Sequence, residues 1–265
     1  MTSRSDHAGR PGFRAALSNR MIQMTLGALA FLAAAAGAAL AVQGPASVST
    51  ADRAAIEKIV HDYIMANPEI IPQAVEKLQA KRISSVIDAN RAAIEKPYAG
   101  AWEGAAQGDV TVVEFFDYAC GYCRAALPDL ARLVAEDKGI RIVYRELPIL
   151  SDESTDAAKL SLLAAERGQY MPFHRALYAA GRVTRESMLA AAAKVGIDGK
   201  AAQAALAGNR YDAELQSNIA LAQKLQASGT PTFVIGDQLL NGAVGYQALK
   251  DAVAAARAGK AAAAR

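Results

Sequence analysis

FFDYACGYC, residues 115–123, holds the only two cysteines of the 265-residue chain, Cys120 and Cys123. The run that leads into it, VTVVEFF (110–116), is β-branched and aromatic and reads as a buried strand. The run that follows, RAALPDLARLVAE, places Leu127, Leu130 and Leu133 at helical spacing. IRIVYREL (140–147) is a second buried strand. Strand, helix, strand predicts a parallel βαβ unit within an α/β fold, with the cysteine pair at the turn from strand to helix.

That position decides between three uses of the pair. Residues at i and i+3 of a helix share a face, so the two sulfurs can meet. Cys120 falls beside the free N–H groups of the first turn, where the helix dipole favours a thiolate. A structural disulfide would close a loop of only four residues and constrain the unfolded chain little. A tetrahedral zinc site needs further ligands, and His7, His61 and His174 are distant in sequence. Linear copper binding stays open as an alternative; a redox pair is preferred, with no metal and no cofactor expected.

Composition adds bounds. The chain is 27.7 kDa, large enough for one sizeable core and an accessory element. Its net charge of +3 is carried by Arg4, Arg10, Arg14 and Arg20 against Asp6, and the remainder is balanced. No nucleic-acid surface is expected. Met21–Val42 has no charged residue, and a basic segment before an apolar run is an export pattern. Ala39-Leu40-Ala41 fits a cleavage site, yet the run is also long enough to span a bilayer, so residues 1–42 are a cleaved signal or a retained anchor. Either way the body would lie in an oxidising compartment.

Beyond the linker, Ile56, Ile59, Val60, Tyr63 and Ile64 form a helical stripe. Asn67-Pro68-Glu69 reads as the cap and first turn of a second helix. Its stripe of Ile71, Ala74, Val75 and Leu78 resumes out of phase at Ile83, Val86, Ile87 and Ile94, a sign of a bend or joint near Lys81-Arg82. Residues 51–96 are expected to self-associate, with packing on the main domain as the alternative. Residues 97–108 read as a loop, 151–228 as helical throughout, TPTFVIG and QLLNGAV as two strands turned at Gly236-Asp237, and Tyr246–Ala256 as a last helix. Thr184 and Gly196 read as the cap and stop of one helix in the block.

FFDYACGYC after a strand, with Gly229-Thr230-Pro231 opening a later one, resembles the thioredoxin fold. The helical block between resembles the DsbA family of exported thiol–disulfide oxidoreductases, and ANPEIIPQAVEKLQ resembles its ScsC-like members. The resemblance implies a thioredoxin fold with an inserted helical domain at about 152–228, a catalytic domain at 98–258, and an N-terminal helical oligomerisation region at 49–97. It implies Cys120 as nucleophile, Cys123 as resolving thiol, Glu114 as a proton relay under the pair, and a cis peptide bond at Pro231, with Thr230 before it pairing to substrate. Implied partners are cysteine-containing exported clients, a membrane redox partner and further copies of the chain, in the periplasm. The insertion resembles that of an oxidase, whereas CGYC with Thr230 resembles the DsbC type of isomerase. Isomerase is preferred to dithiol oxidase. A peptide-binding chaperone or copper-handling protein is the alternative of a different class.

Overall fold

The computed structural model describes residues 49–263. The basic segment and the apolar run 21–42 lie outside them. No helix among the described residues is long and apolar enough to cross a membrane. The chain divides into two compact units after Ile70.

The first unit contributes helix α1 (Thr50–Ala66), capped by Ser49, whose Oγ accepts the Asp52 N–H at 3.1 Å. Asn67 closes α1 rather than opening the next helix: its Nδ2 donates to the Tyr63 carbonyl at 2.8 Å. The ring of Pro68 disfavours helical geometry at Asn67, which sits at φ −132°, ψ 62°. No residue of α1 is buried, and Ile56, Ile59, Val60 and Tyr63 are exposed.

The second unit begins one residue into α2 (Ile70–Glu95), which is unbroken through Lys81-Arg82. The phase slip is therefore a change of face. At about 100° per residue, positions nine apart such as Leu78 and Ile87 lie about half a turn apart. Ile71, Val75 and Leu78 are exposed, whereas Ile87 and Ile94 are completely buried.

What buries them is a five-stranded sheet in the order β1-β3-β2-β4-β5. Its strands are β1 (Trp102–Gly104), β2 (Val110–Phe116), β3 (Ile140–Glu146), β4 (Thr232–Ile235) and β5 (Gln238–Asn241). β2 and β3 are parallel, joined through α3 (Gly121–Glu136), and the other pairings are antiparallel. A strand covered on both faces reads as a continuous apolar run, which is why VTVVEFF lacks alternation. Val110, Val112 and Phe116 meet Leu130 and Leu133 of α3, Phe173, and Leu249 and Val253 of α9 (Tyr246–Ala263). Val113 and Phe115 meet Ile87, Ile94 and Leu221 on the opposite face. The boundary expected at residue 97 thus falls between the sheet and two residues of its core.

Between β3 and β4 the helical stretch resolves into five helices: α4 (Asp152–Glu166), α5 (Tyr170–Ala179), α6 (Arg185–Lys194), α7 (Gly199–Ala207) and α8 (Asp212–Lys224). Thr184 caps α6 in a capping box with Ser187, and Gly196 stops it at φ +78°. Gly236 turns the β4–β5 hairpin at φ +58°, where a Cβ would lie 2.7 Å from that of Ala256. Two elements exceed the sequence reading. β1 lies inside the expected loop, since three residues are too few to show a strand period, and α9 runs past Ala256 to Ala263.

Arg145 joins α2 to the sheet. Its Nε donates to the Ile94 carbonyl at 2.9 Å, and Nη2 to those of Lys96, at 2.6 Å, and Ala93. Nη1 reaches Asn218 at 2.6 Å. A guanidinium satisfying the last carbonyls of a helix is also favoured by the helix dipole. Arg145→Leu should cost about 3 kcal/mol, because several buried carbonyls lose their donors at once. Urea unfolding checks this, and a loss under 1 kcal/mol would show that water replaces the guanidinium.

Candidate active site

The site forms where β2 ends. Asp117 is buried and organises the turn: Oδ1 accepts the Ala119 N–H at 2.8 Å, and Oδ2 those of Ile149 and Leu150 at 2.9 and 3.0 Å. Cys120 is the N-cap of α3, with extended backbone, and its Sγ accepts the Cys123 N–H at 3.4 Å. Both cysteines are free thiols. Cys120 keeps 6% of its surface and Cys123 none. Burial, then the charge of Glu114, pushes the Cys123 thiol far above its ordinary range.

The chain returns to this point 110 residues later. The Thr230–Pro231 bond is cis, and the Cys120 thiol donates to the Thr230 carbonyl at 3.2 Å. Pro231 is buried and its carbonyl accepts the Gly242 N–H at 2.7 Å, anchoring this loop to the segment after β5. The five residues expected at the site, Glu114, Cys120, Cys123, Thr230 and Pro231, come from β2, α3 and the loop before β4.

Glu114 is 1% exposed, and both carboxyl oxygens are buried without a hydrogen-bond partner. Burial raises its carboxyl to about 8, with smaller contributions from Cys120 and Glu103. It faces the interior, not solvent. Across β2–β3 it is paired in register with Tyr144.

A second polar cluster lies close by. Glu146 accepts from Ser161 and, at 3.0 Å, from the Tyr170 hydroxyl; Tyr118 contacts Ser161 at 3.1 Å and His174 Nδ1 at 3.0 Å. Burial pushes Glu146 well above its ordinary value and lowers His174 to about 3, so the imidazole is neutral at pH 7. His174 is enclosed by Phe116, Tyr118, Tyr144, Tyr170 and Tyr178. The sequence reading gave Asp117, Tyr144, Glu146 and Glu103 no role at the site. Asp117 directly before the cysteine turn was a usable signal, but the others carry no local pattern.

Outside, a cleft of about 640 Å³ starts at Ala119 and Gly121 and runs between Arg124, Glu153, Asp156, Arg182 and Arg185. Tyr122, Ile149 and Leu150 are exposed. Among the described residues, no group of three or more His, Cys, Asp or Glu side chains could hold a metal ion.

A cysteine at a helix N-terminus against a cis-proline loop, with a second cysteine and an acid buried behind it, in a thioredoxin-type sheet carrying a helical insertion, defines the thiol–disulfide oxidoreductase class. The family described as DSBA-like thioredoxin domain matches residues 111–254, and the chain belongs to it. The family described as copper resistance protein ScsC N-terminal domain matches residues 52–82.

Among solved structures, a thioredoxin-like oxidoreductase from Silicibacter pomeroyi DSS-3 is 42% identical, with a TM-score of 0.58, over 62% of this chain and 95% of that one. The thiol-disulfide exchange protein alpha-DsbA2 from Wolbachia pipientis is 29% identical, TM-score 0.59, over 66% and 96%. ScsC of Proteus mirabilis in a transitional conformation is 25% identical, TM-score 0.60, over 82% and 100%. A curated relative, Na(+)/H(+) antiporter NhaA 1 of Salinispora arenicola, is 30% identical over 159 residues, 59% of this chain. The chain spans about a quarter of the length of the curated relatives it matches.

Proposed function

We propose that the protein is an exported, periplasmic thiol–disulfide oxidoreductase of other proteins, working chiefly as a disulfide isomerase. The observation that carries the reading is the Cys120 Sγ, at the helix N-terminus and 3.2 Å from the Thr230 carbonyl, with Cys123 sealed behind it. The Cys120 thiolate attacks a client disulfide, forming a mixed disulfide and releasing the other client sulfur as a thiolate. A second client thiol can then attack and leave with a rearranged pairing. Otherwise Cys123 attacks the Cys120 sulfur, its proton passing to Glu114, and the client leaves reduced. In the opposite direction a client dithiol reduces the Cys120–Cys123 disulfide, and Glu114 returns the proton to Cys123.

Exposed Tyr122, Ile149 and Leu150 give an unfolded client apolar contact, and the Thr230 backbone offers it strand-like pairing. A metal or an organic cofactor has no part in this scheme. Catalysed reduction of insulin disulfides tests the reaction class: a peptide-binding chaperone or copper carrier would give none. The match to DSBA-like domains supports a dithiol oxidase as the second reading.

Self-association separates the two. The exposed stripes of α1 and the first half of α2 suit assembly of several copies, which would hold a client among several active sites. The second half of α2 belongs to the core, so the informative truncation removes residues 51–80 and keeps Ile87, Ile94 and the Arg145 contacts. The intact exported part should be an oligomer by light scattering. The truncated form should be a monomer that still oxidises dithiols but no longer rescues scrambled disulfides. A monomeric intact form would favour the oxidase.

A further inference from the structure

Glu103, the middle residue of β1, stands between the interior and solvent. Its Oε1 accepts the hydroxyl of buried Tyr144, its Oε2 accepts Arg175 Nη2 at 3.0 Å, and its side chain is 14% exposed while that of Arg175 is 66% exposed. Tyr144 is the register partner of Glu114 on the adjacent parallel strand, which puts the two side chains on one face of the sheet about 5 Å apart at the backbone. The Tyr144 ring is wedged against Phe116, Tyr170 and His174, so its hydroxyl has a defined place. Glu114, by contrast, has no protein partner for either oxygen and no surface of consequence, yet its proposed work requires it to gain and lose a proton.

We infer that Tyr144 and Glu103 form the route by which Glu114 exchanges its proton with solvent, Glu103 being the outer end. The inference rests on the reading of Glu114 as the acid–base partner of Cys123. When the Cys123 thiol ionises, its proton goes to a Glu114 carboxylate oxygen. Glu114, which is not hydrogen-bonded to Tyr144 at rest, turns its carboxyl within reach and passes a proton to the Tyr144 oxygen as the Tyr144 hydroxyl gives its own to Glu103, and Glu103 releases one to water. One proton leaves the interior and no electrons move. The reverse sequence serves the opposite direction of exchange.

Glu103 also acts on Glu114 through its charge, which opposes ionisation of the buried acid. The other titratable groups around Glu114 are Cys120 and Cys123 from α3, Tyr118 after β2, Glu146 from β3 and Tyr178 from α5, with Arg175 held against Glu103. Tyr144 and Glu103 are positioning residues: neither touches the reacting sulfurs.

Tyr144→Phe keeps the ring and removes the hydroxyl; Glu103→Gln keeps an acceptor for Tyr144 and removes the charge. In the full chain, single-turnover release of a mixed disulfide should slow on the order of tenfold near pH 7 in each variant. By carboxyl-carbon NMR, the Glu114 titration midpoint should fall by about one unit in Glu103→Gln. In a Glu114→Gln background neither substitution should change the rate. Wild-type rates in both single variants, or the same slowing in the Glu114→Gln background, would overturn the route while leaving the role of Glu114 intact. A wild-type rate and pH profile in Glu114→Gln alone would remove that role and the route with it.

Discussion

Cys123→Ser should accumulate a covalent adduct between Cys120 and its clients, whereas Cys120→Ser should abolish exchange altogether. The expectation follows from the two environments. Cys120 keeps a little surface at the N-terminus of α3, and Cys123 has none, with its thiol pushed far up by burial and by Glu114. Only the thiolate attacks, so access and ionisation act in the same direction. At pH 7, Cys120 in the reduced protein should alkylate at least about a hundredfold faster than Cys123. Mass spectrometry after a timed alkylation reads the ratio. Equal rates would mean that the second thiol is not sealed as the fold requires. In cells, the Cys123→Ser chain should also run as high-mass bands on non-reducing gels that collapse to one on reduction.

Glu114→Gln should raise stability at high pH and slow the second thiol step, on the order of a hundredfold near neutral pH. The carboxyl titrates near 8 in the folded chain against 4.5 ordinarily. As pH rises past 4.5 the unfolded chain loses this proton first, while the folded chain holds it until about 8. The folded state thus binds more protons across that window, and stability falls as pH rises through it. An amide does not titrate. The variant and the parent should therefore be similar in stability near pH 4, and the variant should gain about 3 to 5 kcal/mol by pH 9. Urea unfolding of the reduced proteins at the two pH values measures this. A pH-independent difference would mean that Glu114 does not carry the raised carboxyl. Improved stability with impaired turnover would mark a buried acid retained for its chemistry.

Much of this molecule could be read locally. VTVVEFF, the cysteine turn and the α3 leucines declare their structure because each signal lies within a few residues: a doubly covered strand is apolar throughout, and a helix repeats every three to four positions. Caps such as Thr184 and stops such as Gly196 are equally local, since they satisfy backbone groups one turn away. Cys120 and Cys123 stood out because they share one turn of helix, and the family resemblance pointed to Glu114, Thr230 and Pro231.

Only the tertiary structure decided what distant segments do to one another. The break in the α2 stripe was visible, but that it marks a change of face rather than a joint depended on the sheet that buries Ile87 and Ile94. Asn67 read as the cap of the second helix, and the bond its side chain makes to Tyr63 puts it at the end of the first instead. Arg145 is unremarkable in sequence; its partners on α2 lie about fifty residues upstream. Glu103 sits in a three-residue strand that acquires its order from β3, and it meets Tyr144 only because that pairing forms. The sequence by itself thus determined the order of elements other than β1 and the identity of the redox pair, both encoded by neighbours along the chain. The raised titration of Glu114, the sealing of Cys123 and the bond from Cys120 to Thr230 arise from desolvation and contact between remote segments, which no local pattern records.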